Sequence, residues 1–267
     1  MKKYKVRPKT KLNLPEWDPN DTGDFKGGKD EGLAQVENLN DKLEELQELL
    51  YAEHKHKVLV ILQAMDTGGK DGAIRRVFDG VNPAGVRVAS FKAPTSEELD
   101  HDYLWRVHKQ VPGNGEIVIF NRSHYEDVLI VRVHNIVPPE VWKQRYDQIN
   151  EFERTLVENG TTILKFYLHI DKDEQKKRLQ ARLDDPTKHW KFHRADLEER
   201  IKWPDYMQAY EDMLTKTSTD YAPWYIVPAN RKWFRDMIIS SVLVETLEEL
   251  KMKYPETEEN LEDVVIL

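Results

Sequence analysis

Cysteine is absent from all 267 residues, which excludes disulfides and thiolate chemistry and fits a cytoplasmic protein. Nor is there a run of about 18 uncharged apolar residues, so no membrane span is expected. The opening MKKYKVRPKTKLNLPEW lacks the apolar segment of a secretory signal, and the chain has no internal repeat or low-complexity tract. A general excess of positive charge is missing as well: 40 Lys and Arg face 48 Asp and Glu, a formal net charge of -8. That balance argues against a nucleic-acid coat, whose affinity rests on a broad basic surface, but leaves room for a polyanion in a local groove. Lys2, Lys3, Lys5, Arg7, Lys9 and Lys11 make the N-terminus basic, and Glu37, Asp41, Glu44, Glu45, Glu48 and Glu53 make the next segment acidic. A solvated tail and a solvated helix face account for both.

What is present points to phosphate. In KVLVILQAMDTGGKDGAIRRVF, residues 57–78, an apolar run breaks into a glycine-bearing turn and then a helical pattern. Val58 to Leu62 read as a central parallel strand buried on both faces. Gly68 and Gly69 can adopt angles barred to other residues and bring the main chain close to an anion. Lys70 then opens a helix, where free N–H groups, the dipole and the ammonium all favour phosphate. Against the common phosphate loop GxxxxGK[ST], residues 64–71 match at Gly69 and Lys70 but carry Ala64 for the first glycine and Asp71 for the hydroxyl. Asp71 cannot replace a magnesium-holding hydroxyl, which makes Asp66 the candidate metal ligand in the loop. An ordinary strand-to-helix turn with a solvated lysine is the competing account.

The remaining pattern alternates strands and helices. Residues 1–32 read as an extended arm with scattered Pro and Gly, and a helix is expected from about Leu33 to Ala52. Strands are expected at 86–91, 116–120, 161–170 and 224–229. Helices are expected at 96–110 with Ser96 as N-cap, at about 139–158, and from about Trp233 to Lys253 before a loose acidic tail. This order implies a parallel sheet with a ligand crevice at the carboxyl ends of its strands.

Two further blocks carry chemistry. NRSHYEDVLIVRVHN follows a buried strand and gathers Asn121, Arg122, Ser123, His124, Glu126, Asp127, Arg132 and His134. Were it helical, Ser123, Glu126 and Asp127 would share a face. There, Glu126 and Asp127 could supply the carboxylates and Arg122 could neutralise a moving phosphoryl. His124 and His134 lack the spacing of a zinc site and read as hydrogen-bonded structural residues. The block RLDDPTKHWKFHRADLEERIKWPDYMQAY, residues 182–210, interleaves Arg182, Lys188, Lys191, Arg194 and Arg200 with aromatics, as a mobile lid over phosphates would. A pair of surface helices is the alternative, since Asp184, Asp185, Asp196, Glu198 and Glu199 nearly balance the charge. Trp190, Phe192, Trp203, Trp224 and Trp233 read as core, as do Trp142, Tyr146 and Phe152 on one helix face.

Together, AMDTGGKDG, GVNPAGVRVASFKAPT, FNRSHYEDVLIVRVHN, DDPTKHWKF and TSTDYAPWYIVPAN resemble the second type of polyphosphate kinase over nearly the whole chain. Within that family the resemblance is to the class III enzymes acting on nucleoside mono- and diphosphates. It implies an α/β phosphate-loop fold similar to thymidylate kinase, a parallel sheet flanked by helices with a helical lid. It also implies one kinase domain at 33–267 behind the arm at 1–32, with the lid at about 182–210. The implied activity is reversible phosphate transfer from inorganic polyphosphate to AMP and ADP with Mg2+, on adenine nucleotides, with guanine left open, by paired subunits. By resemblance Asp66 and Lys70 serve metal and phosphate, Arg122 the moving phosphoryl, Asp127 the magnesium, and Arg182, Lys188 and Lys191 the lid. Asn121, where relatives often have Asp, looks with Glu126 like the class III variant. The candidate catalytic set is thus Asp66, Lys70, Arg122, Glu126 and Asp127, with Asp66 and Asp127 on the metal. Gly68, Gly69, Lys70, Asp71, Asn121, Arg132, Arg182, Lys188 and Lys191 are the phosphate- and nucleotide-binding candidates. Direct in-line transfer and a phosphorylated Glu126 are both open, as are an ATP-dependent nucleotide kinase and a non-catalytic nucleotide-binding protein.

Overall fold

The computed structural model describes residues 1–256 and Ile266. Among the described residues five strands form one parallel sheet in the order β2-β3-β1-β4-β5. They are β1 Lys57–Gln63, β2 Val86–Ser90, β3 Ile117–Asn121, β4 Thr161–His169 and β5 Trp224–Pro228. The chain crosses from β1 outward to β2, returns to β3, then crosses β1 to reach β4. The crevice therefore opens where β1 and β3 adjoin, at their carboxyl ends.

Helices cover both faces. On one lie α1 Lys29–Glu53 and α10 Lys232–Glu249, whose Val36, Leu43, Leu50, Phe234, Ile238 and Leu243 pack against Val58, Val60, Ile119 and Phe166. On the other lie α6 Pro139–Glu158 and α9 Trp203–Thr217, packed on Leu59, Ile61, Phe120 and Tyr167. Alternate residues of β1 feed the two cores, which is why its sequence is apolar throughout. Between these run α2 Lys70–Val77, α3 Ser96–Leu99, α4 Trp105–His108, α5 Ile130–Val133, α7 Lys172–Leu183 and α8 Ala195–Ile201. Among the described residues no helix is long and apolar enough to cross a membrane.

The N-terminal segment is tied to the outer edge of β5, where the Val6 N–H donates to the Trp224 carbonyl at 2.8 Å. Its alternation buries Tyr4, Val6, Leu12 and Leu14 and leaves Lys3, Lys5 and Arg7 in water. Helix α1 begins at Lys29, four residues before the expected start, where Glu31 accepts the Gly28 N–H at 2.9 Å.

Three helical expectations are corrected. The single helix at 96–110 is two short ones, α3 and α4. Thr95, not Ser96, caps α3, reciprocally with Glu98. Asp102 accepts the Leu104 N–H at 2.9 Å, a local bond that competes with helix continuation. Residues 123–134 form a 3₁₀ turn, His124–Val128, then α5, with a break at Leu129. Ser123 Oγ accepts the Tyr125 N–H and tightens that first turn, so Ser123, Glu126 and Asp127 do not share an α-helical face. Helix α10 ends at Glu249, just before left-handed Lys251, and the acidic tail at 257–265 lies outside the described residues. Among the aromatics Trp224 is fully buried, whereas Trp190 is 73% exposed rather than core.

Candidate functional site

The loop between β1 and α2 is held from behind. Gln175 and Arg178 of α7 donate to the carbonyls of Asp66, Thr67 and Gly68, each at 3.1 Å. Arg235 of α10 donates to the Gly69 carbonyl at 3.2 Å. A planar trans peptide points its N–H opposite to its carbonyl, so these bonds turn the Thr67, Gly69 and Lys70 amides away from α7 and α10, while the Gly68 N–H donates to the Met65 carbonyl at 2.9 Å. The two glycines matter for different reasons. Gly69 has φ +100°, which glycine alone tolerates readily. Gly68 supplies space instead: a Cβ there would lie 2.8 Å from the Met65 carbonyl oxygen. Thr67, a non-glycine, takes the other positive φ, +63°.

Lys70 folds back across the loop and donates to the Ala64 carbonyl at 3.0 Å. Burial first, and then the like charge of Arg122, lower its pKa from 10.5 to about 8, against the pull of Asp66, Glu126 and Asp71. Beside it, at the end of β3, the Arg122 guanidinium donates to Asp66 Oδ1 at 2.7 Å and lies 3.6 Å from Glu126 Oε2. Gln63 holds the other Glu126 oxygen at 3.1 Å. The Glu126 carboxylate and then Asp66 keep Arg122 charged, pushing its pKa up. Asn121 donates to Asp71 Oδ1 at 2.7 Å on the rim. The structure thus brings together Asp66, Gly68, Gly69, Lys70, Asp71, Asn121, Arg122 and Glu126 in the fork between β1 and β3.

Asp127 and Arg132 point elsewhere. Asp127 accepts from Arg145 of α6 at 2.9 Å, and burial raises its pKa to about 6 although Arg145 and Arg106 oppose the shift. Its partner is thus on α6, whereas the adjacent Glu126 in the same 3₁₀ turn lies 3.6 Å from Arg122. Arg132 is bonded to Asp212 at 2.6 Å and Tyr146 at 3.2 Å and ties α5 to α9 and α6. His124 and His134 face Glu153 and Glu199, the structural pairing expected of them.

In the segment 182–210, Arg182 donates to the Lys191 carbonyl at 3.0 Å and lies 3.5 Å from Asp196. Lys188 pairs with Asp185 at 2.6 Å, and the Lys191 ammonium sits 4.8 Å over the exposed Trp190 ring. Burial first, and then the Asp66 charge, raise the Asp196 pKa, against the pull of Arg182. Sequence reasoning missed Arg178, hidden among the surface charges of α7, and Arg235. The second left a signal, an Arg-Asp pair inside the otherwise apolar WFRDMIISSVLV.

Among the described residues no three acidic or histidine side chains cluster as a self-sufficient metal cage. A magnesium ion does not need one: it is held by one or two carboxylates with substrate phosphates and waters. Asp66 and Glu126, hard oxygen donors beside a phosphate cradle, fit that requirement.

Residues 26–255 match the polyphosphate kinase 2 family. The chain belongs to that family. It is 62% identical to the AMP/ADP-polyphosphate phosphotransferase of Meiothermus ruber, over 100% of both chains. It is 48% identical to the ADP-polyphosphate phosphotransferase of Rhodopseudomonas palustris, over 96% of this chain and 92% of that one. The crystal structure of polyphosphate kinase 2 from Arthrobacter aurescens TC1 superposes with a TM-score of 0.92 at 46% identity, covering 96% of this chain and 95% of that one. Polyphosphate kinase 2 membership fits the phosphate-loop architecture.

Proposed function

We propose that this enzyme transfers a terminal phosphoryl group from inorganic polyphosphate to AMP and to ADP, reversibly and with Mg2+, giving ADP and ATP. The observation that carries the reading is Arg122, which bridges Asp66 and Glu126 next to the phosphate-loop lysine. The names of the two similar phosphotransferases support both acceptors.

Each residue has a physical task in this reading. The Thr67, Gly69 and Lys70 amides and the α2 dipole receive phosphate oxygens. Lys70 exchanges the Ala64 carbonyl for an anionic oxygen, which favours its charged form. Arg122 neutralises charge on the phosphoryl in flight and is already aimed by its carboxylates, so little reorganisation is needed. Asp66, with Glu126, would hold Mg2+, which when bound supplies further charge neutralisation. Asp71 and Asn121 set the rim. Asp127 fixes Arg145 rather than touching the metal. The lid from about 182 to 210 brings Arg182, Lys188 and Lys191 over the phosphates and excludes water. Guanine acceptors and paired subunits belong to the same proposal.

The test is purified protein with magnesium and polyphosphate, given AMP or ADP separately, with products separated. ADP from AMP and ATP from ADP, both stopped by chelator, are expected. ATP from ADP alone would remove AMP as an acceptor. Turnover only when ATP replaces polyphosphate would overturn the donor assignment.

A further inference from the structure

Beneath the site, on the α6 side of the sheet, lies a charged network that no step above uses. Lys165 stands in the middle of β4, between Ile163 and Tyr167 on the same strand face, with no exposure to solvent. A strand covered on both faces is ordinarily apolar there, and a buried ammonium is tolerated only when its donors are satisfied. All three are: Glu153 Oε2 accepts at 2.6 Å, the Thr217 carbonyl at 2.7 Å and the Tyr125 hydroxyl at 2.8 Å. Glu153, on α6, is equally sealed, and its other oxygen accepts from the Tyr125 hydroxyl at 2.7 Å and faces His124 Nε2 at 3.3 Å. The Tyr125 ring meets Trp224 edge-on, with centroids 4.8 Å apart.

Two of these partners, His124 and Tyr125, lie between Arg122 and Glu126 in sequence. The turn they belong to starts from a demanding backbone. Arg122 has φ +65°, a left-handed conformation that a non-glycine residue keeps only where its surroundings over-determine it. Arg122 and Glu126 occupy the crevice side of this turn, and His124 and Tyr125 its buried underside. An apolar replacement of a buried ion pair is often as stable or more so, so stability alone does not explain this one.

The geometry points to Lys165, Glu153 and Tyr125 as positioning residues for phosphoryl transfer: the sealed ion pair seats the turn His124–Val128 and thereby aims Arg122 and Glu126 at the phosphate loop. This rests on the reading above that Arg122 and Glu126 face the transferred phosphoryl. A misplacement near 1 Å at such a centre costs on the order of 100-fold in rate, which sets the expected scale.

The experiment compares full-length Tyr125→Phe, Lys165→Met/Glu153→Leu and Lys165→Met/Glu153→Gln by kcat, by KM for polyphosphate and acceptor, and by cooperative unfolding. Tyr125→Phe is repeated in an Arg122→Ala background. Expected are kcat losses of about tenfold for Tyr125→Phe and about 30-fold or more for Lys165→Met/Glu153→Leu, with both KM values within about threefold. Lys165→Met/Glu153→Gln retains an acceptor for Tyr125 and should recover to within about fivefold of wild type. With Arg122 gone, Tyr125→Phe should cost less than about twofold more, because its effect runs through that side chain. Wild-type kcat in folded Tyr125→Phe, or its full loss repeated without Arg122, would overturn the proposal. Should Lys165→Met/Glu153→Leu fail to fold, the Tyr125→Phe cycle decides alone. Wild-type kcat in Arg122→Ala itself would instead remove the reading of the site on which the proposal rests.

Discussion

Lys70 and Lys165 stand on two sides of the same β3 turn, each beside a glutamate on or under it, and burial is the first cause lowering the pKa of both. Lys165 commits three donors to protein oxygens, whereas among the described residues Lys70 is joined to a single carbonyl, that of Ala64. The difference is in what remains to be bonded. A saturated ammonium holds shape and has nothing to offer a ligand. One with a single exchangeable partner among the described residues keeps donors for a ligand, which in the proposed reading is a phosphate oxygen. Similar chemistry in one small region thus divides into scaffold and site by hydrogen-bond saturation.

The comparison breaks first at Lys70. Lys70→Ala should lower kcat/KM by about 1,000-fold, roughly 4 kcal/mol, without lowering the unfolding midpoint. A loss under tenfold, or ~1.4 kcal/mol, would place Lys70 outside the reaction. Glu153→Leu should do the opposite, leaving Lys165 buried without its counter-charge and destabilising the fold by about 3–5 kcal/mol in urea unfolding. Adding Lys165→Met should return most of that stability, and failure to do so would mean the carboxylate acts by packing.

A pH profile sharpens the contrast. In the proposed reading Lys70 meets phosphate as the ammonium, and the free enzyme loses that proton as pH rises through about 8, so kcat/KM should fall above that value. Lys70→Arg, slower but permanently charged, should remove the limb, and a limb retained there would assign it to another group. The same lowered pKa makes the folded state bind fewer protons than the unfolded between about 8 and 10.5, so this group's contribution to stability rises with pH across that window. The smallest effect is expected at Trp190, 73% exposed: Trp190→Ala should change folding stability by less than about 0.5 kcal/mol.

Much of the fold was legible in the chain because its signals are local. Val58 to Leu62, Ile117 to Phe120 and Ile163 to Leu168 are short apolar runs bounded by turns, and α6 falls at 139–158 as its pattern indicates. The loop Asp66–Lys70 and the cluster Asn121, Arg122 and Glu126 were legible for the same reason, a strand end followed by glycines or charges. Helix continuity at 96–110 and 123–134 was not, because Asp102 and Ser123 capture main-chain amides and end a periodicity that composition alone supports. Asp127 and Arg132 looked equivalent to their neighbours until Arg145 and Asp212, distant in sequence, drew them aside.

By itself the sequence determined the alternating strands and helices, the glycine-bearing turn after β1, the block that follows β3 and the family resemblance, since each rests on residues within a few positions of one another. The tertiary structure alone decided that β3 lies beside β1, so that Arg122 reaches Asp66, 56 residues away. It also decided that Arg178 and Arg235 grip the loop and that Lys165 is saturated while Lys70 is not. Those outcomes depend on which donors and acceptors meet when the sheet closes, and a buried charge takes its character from neighbours that packing, not chain order, supplies.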